Sequence, residues 1–121
     1  MPKLDVQIGF FEGLLARDPN WVELLEVLAD AYTENGRADD CVKIDERLQE
    51  LCPANAEVRI NLAISLTMAG QLDRALDELE QALDLGYRDL RWLTRNPDLA
   101  ELRKHPGYKR IRAKMRSLKT A

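Results

Sequence analysis

Few side chains in this sequence could support covalent or acid–base chemistry. There is one histidine, His105, and there are two cysteines, Cys41 and Cys52, set 11 residues apart. A cysteine nucleophile needs an imidazole close enough to activate it, and neither thiol has a histidine on an adjacent turn. A structural zinc site needs four soft or imidazole ligands, and with His105 the chain offers three. His105 stands directly before Pro106, which marks it as a helix-boundary residue. The paired carboxylates Asp39 and Asp40 fall in the first turn of an expected helix, where the helix dipole favours acids without any catalytic role. No glycine-rich phosphate loop follows a strand, and no convincing strand is found. These residues point to a non-catalytic chain with no metal and no cofactor.

The elements that carry these residues fit one domain, residues 1–121. A chain this size is expected to expose roughly 6,600 Å² of about 20,000 Å² when unfolded, enough burial for a core without disulfides. Hydrophobic residues make up 45% and charged residues 32%, which excludes a disordered or collagen-like chain. The start, MPKLDVQIGFFEGLL, carries Asp5 and Glu12 among its apolar residues and so lacks the apolar stretch of a secretion signal. No apolar run approaches the ~20 residues needed to cross a bilayer. Two cysteines read as buried reduced thiols, so the expected location is the cytoplasm.

The chain repeats itself. Gly36 and Gly70 are 34 residues apart, and the same offset joins Pro19 to Pro53, Leu28 to Leu62, Ala29 to Ala63, Tyr32 to Leu66 and Cys41 to Ala75. Each unit reads as a pair of helices. The first pair covers about 20–34, with Leu24, Leu25, Leu28 and Tyr32 at helical spacing, and 38–51, with Val42, Ile44, Leu48 and Leu51. Gly36 and Gly70 break each pair, where the turn calls for a left-handed residue. Asp18-Pro19 and Cys52-Pro53 separate the units.

These residues resemble the tetratricopeptide repeat, a 34-residue helix–turn–helix unit. The likeness rests on Leu28-Ala29 and Leu62-Ala63, on Tyr32 or Leu66 and then Gly36 or Gly70, on the small residues Cys41 and Ala75, and on Pro53. Leu79 and Ala82 also match the pattern of the second helix, whereas Asp45, Leu48 and Tyr87 depart from it. The resemblance implies an all-α helix-pair solenoid of about 2.5 repeats: a half-repeat at 3–17, repeats at 20–53 and 54–87, and a basic helical cap at 88–121. Short helices are expected near 90–94 and 97–104, and a longer one near 106–118.

The resemblance further implies that the first helix of each repeat lines a concave surface for a peptide or a partner's helix. The groove residues would be Glu23, Glu26, Val27, Asp30 and Glu34, followed by Glu57, Ile60, Asn61, Ile64, Thr67 and Met68. The first set is acidic. In the second, Ile60, Ile64 and Met68 form an apolar stripe beyond the core-facing Leu62, Ala63, Leu66 and Ala69, so something must cover it or it is an interaction patch. Some members of the family clamp a C-terminal carboxylate with basic and amide residues. Only Asn61 matches that set, and Glu26 and Asp30 would repel such a ligand. A protein or peptide of basic and apolar character is therefore the expected partner.

The net charge of −3 conceals a division. Residues 1–87 hold 7 basic and 18 acidic side chains, and residues 88–121 hold 11 basic and 3 acidic. The basic residues concentrate in KRIRAKMRSLK, where Ile111, Met115 and Leu118 recur on one helical face. Three roles suit such a helix: a cap on the last repeat, self-association by folding or swapping into the acidic groove, or binding to nucleic acid or an anionic membrane surface. The acidic body disfavours the third. The expected function is a protein–protein interaction scaffold, with the electrostatic adaptor as its rival.

Overall fold

A computed structural model describes residues 2–120, and the side chains of 6–119, so Asp5 lies outside the described side chains. Its elements in order are α1 (Pro2–Arg17), α2 (Val22–Glu34), α3 (Ala38–Leu51), α4 (Ala56–Met68), α5 (Leu72–Asp84), α6 (Leu90–Arg95), a 3-10 turn at Pro97–Leu99, α7 (Ala100–Arg103) and α8 (Tyr108–Thr120). The described residues contain no strand. Each of the first four helices packs on the next, so the chain is an all-α stack consistent with a helical solenoid. Among the described residues no helix is long and apolar enough to cross a membrane.

Turn chemistry sets where the helices stop. Gly36 and Gly70 have φ of +69° and +79°, a region that disfavours side chains with a Cβ. Each closes its helix the same way. The Gly36 amide donates to the Thr33 carbonyl at 3.1 Å and the Arg37 amide to Tyr32 at 2.8 Å, and Gly70 and Gln71 repeat both distances to Thr67 and Leu66. These paired bonds satisfy carbonyls that a helix end otherwise leaves open, and they reverse the chain. At the start of α4, the Asn55 side chain accepts from the amides of Glu57 and Val58 at 3.0 and 3.3 Å.

Packing follows the 34-residue period. Leu28, Leu62 and Leu66 are fully buried, and the small residues Ala63, Ala75 and Cys41 sit where helices meet. Two apolar clusters result. The larger runs from Val42 through α4 and α5 to Met115, and the smaller gathers Ile8, Leu28, Tyr32 and Cys41 between α1, α2 and α3. One face of α1 stays bare, with Val6 at 73% and Phe10 at 64% exposure. The accessible surface is 7172 Å², above the roughly 6,600 Å² expected of a compact monomer, as befits a stack of helices.

The segment after α5 divides its contacts. Leu90, Leu93 and Leu99 join Ile60, Leu62 and Leu66 in the larger cluster, and the 3-10 turn packs on α4. The basic helix α8 lies on α5 rather than over α4. Its Ile111 and Met115 are buried. Around them Arg110 pairs with Asp77 at 2.6 Å, and Lys114 with Asp84 at 2.5 Å and Glu80 at 3.7 Å. Gly107 allows the close approach that starts this helix, since a Cβ there would lie 2.8 Å from Leu76 Cδ1.

Candidate functional site: an acidic groove

The inner ends of α2 and α4, floored by α3, enclose a cavity of about 390 Å³. Glu26 and Asp30 reach it from α2, Glu57, Asn61 and Ile64 from α4, Asp45 from α3, and Asp98 from the 3-10 turn. Helical geometry explains the selection. Glu26 and Asp30 stand one turn apart, as do Glu57 and Asn61, so each pair shares a face while Leu28 and Leu62 turn to the core. Five carboxylates line the space, and among the described residues no lysine or arginine does. In so confined a site like charges raise the local negative potential, which favours a cationic guest.

Asp45 is the unusual member. It is 3% exposed, and its carboxyl is pushed up to about 6, chiefly by burial. The Cys41 thiol lies 3.6 Å from its Oδ2, and no ion pair reaches it among the described residues. Burial first and the Asp45 charge second push the thiol of Cys41 up to about 11, which leaves it protonated and a poor nucleophile. Both cysteines are free. His105 is held at its helix boundary, with Nδ1 accepting from the Gly107 amide at 2.9 Å and Nε2 at 3.2 Å from Asp73 Oδ1. Among the described residues no group of three or more His, Cys, Asp or Glu is placed to hold a metal ion.

The eleven residues proposed from sequence fall into three groups. Glu26, Asp30, Glu57, Asn61 and Ile64 meet at the cavity. Glu23, Val27, Glu34 and Met68 are exposed outside it, Val27 at 44% and Met68 at 38%. Ile60 and Thr67 are buried. Ile60 shares the larger cluster with Leu90, Leu93 and Leu99, and the Thr67 hydroxyl donates to the Ala63 carbonyl at 2.7 Å. The apolar stripe is therefore capped at one end by the chain itself.

A second cavity, about 270 Å³, adjoins the first through Glu57 and Asn61 and adds Ile60, Tyr87, Asp89 and Trp92. Tyr87 and Trp92 meet edge to face, with ring centroids 6.4 Å apart. Burial, then Asp89 and Glu57, push the Tyr87 hydroxyl above its ordinary range. Asp45, Asp98, Tyr87, Asp89 and Trp92 were absent from the sequence-derived groove. Asp45 and Tyr87 did show as departures from the repeat pattern, whereas Asp98 and Trp92 lie in the non-repeating tail.

No family model matches the chain. Two curated proteins are similar to it, the peroxisomal targeting signal receptors of Komagataella phaffii (strain GS115 / ATCC 20864) and Komagataella pastoris. Each is 32% identical over 91 residues, which is 74% of this chain and 16% of the receptor. The chain thus spans about a sixth of the length of the relatives it matches. Fold and comparison together show an all-α stack of helices distantly similar to one part of a peroxisomal targeting signal receptor.

Proposed function

We propose that this chain is a tetratricopeptide-repeat-like interaction module that holds a basic and apolar segment of a partner protein in its acidic groove, without catalysis. In this reading α2–α3 and α4–α5 are the two repeats, α1 is a preceding half-repeat, and residues 88–121 form the cap. The observation that carries it is the cavity itself, with five carboxylates beside Ile64 and, among the described residues, no lysine or arginine in its lining. Such a surface steers a cationic segment and fixes its register, while apolar contact supplies affinity. The likeness to a targeting signal receptor supports the reading, because a receptor for a protein-borne signal must bind a protein segment.

The rival role for α8, as an adaptor for nucleic acid or an anionic membrane, draws less support. Arg110 and Lys114 face Asp77, Glu80 and Asp84, so part of the helix's positive charge is already paired within the chain. Glu26 and Asp30 are exposed, so reversing both to lysine leaves the core intact. An array of pentapeptides built from leucine and glycine with either arginine or glutamate tests the groove. The arginine peptides should bind, and the Glu26→Lys/Asp30→Lys variant should bind them about tenfold more weakly. Equal binding of the glutamate peptides, or binding unchanged in the variant, would sink the proposal.

A further inference from the structure

The far end of the groove differs in chemistry from its middle. Trp92 is 42% exposed, although its neighbours Leu90 and Leu93 are buried. Its ring stands at 61° to that of Tyr87, and Glu57 and Asp89 border the same cavity. An aromatic face carries negative potential, and the two carboxylates add to it. An aliphatic side chain would leave the carboxylates' field unused. A cation with a flat, weakly hydrated face satisfies both features, because it can stack on the indole and donate to the acids at its edge.

Three arginines of the chain flank the pocket: Arg88 lines an adjoining space with Glu57, Tyr87 and Asp89 and donates to the Leu83 and Tyr87 carbonyls, and Arg91 and Arg95 line another with Asp89 and Trp92. The described cation–π contacts are Arg37 over Tyr32 and Arg112 over Tyr108, and neither involves Trp92. Among the described residues no lysine or arginine lines this cavity itself, and none stacks on the indole. The pocket also opens where a groove-bound segment would pass, since it shares Glu57 and Asn61 with the acidic cavity.

We infer that the Tyr87–Trp92 pocket is the subsite for an arginine side chain of the bound segment, its guanidinium stacked on Trp92 and facing Glu57 and Asp89. The inference rests on the groove reading above and adds to it the residue that sets selectivity. Asp89 also holds the pocket's shape, since its side chain accepts from the Trp92 amide at 3.2 Å and so anchors the start of α6.

The test uses the full chain with Trp21→Phe, which leaves Trp92 as the sole indole of the two in the sequence. The probes are Ac-Gly-Leu-Arg-Leu-Gly-NH2 and the same peptide with citrulline, a neutral isostere of arginine, followed by amide and indole chemical shifts. The arginine peptide should move the Trp92 indole resonance and bind about fivefold more tightly than the citrulline peptide. Trp92→Leu, and separately Glu57→Gln, should erase that preference while the fold is retained. Equal affinity of the two peptides overturns the subsite. So do shifts confined to the amides around Glu26 and Asp30, which would leave the groove reading standing. Absence of shifts at every groove residue would bring down the groove reading as well.

Discussion

A carboxylate buried at the floor of a groove works against its own fold. Asp45 ionises near 3.8 in a free chain and is pushed up to about 6 here, so the folded state holds the proton more tightly. Stability from that proton is fully present below pH 3.8 and is lost as the pH rises to 6. Above that, the ionised group costs about 3 kcal/mol relative to its neutral form. Asp45→Asn should therefore stabilise the protein by up to about 3 kcal/mol at pH 7.5, with the gain vanishing below about pH 4. Urea unfolding of both proteins across this range checks it, and a gain independent of pH would refute the electrostatic cause. If the groove takes a cation, the same substitution should also weaken binding. A residue that the fold is better without is then explained by what it faces.

At the scale of elements, the manner in which α8 is held decides what its charges are for. Ile111 is fully buried and Met115 nearly so, while Arg110 is half-exposed and pairs with a still more exposed Asp77. Buried aliphatic truncations cost about 2–5 kcal/mol, and surface ion pairs contribute less than about 1 kcal/mol. Ile111→Ala should lower stability by an amount in the first range and Arg110→Ala by one in the second, as measured by urea unfolding in moderate salt. The reverse order would mean that charge holds the cap in place. The helices themselves were legible in the sequence, because Gly36 and Gly70 need a left-handed backbone and Leu28, Ala29, Leu62 and Ala63 recur with the period. The placement of the tail was not. The prolines Pro97 and Pro106 mark helix starts, but nothing in the local pattern says that the 3-10 turn lies on α4 and α8 on α5.

For the whole molecule, the division of charge closes partly on itself. The basic end docks on the acids of α5, and the acids of α2, α3 and α4 remain around the open cavity. The acidic middle of the groove could be read from one-turn spacing on α2 and α4. Its aromatic end could not, because Trp92 and Asp98 arrive from a segment outside the period and meet Glu57 and Asp30 only through tertiary packing. The bare face of α1 carries a different consequence, one of time. The stack is sealed by α8 on one side, whereas α1 packs chiefly on α2, within the smaller cluster. In a linear array each unit is steadied by its neighbours, so opening should begin at α1 and travel toward α5. Amide hydrogen exchange should run fastest in α1, slower in α2 and slowest in α4 and α5. The protein would then come apart from one end, like a zip with a single slider, and the groove would lose its Glu26–Asp30 wall before its aromatic end.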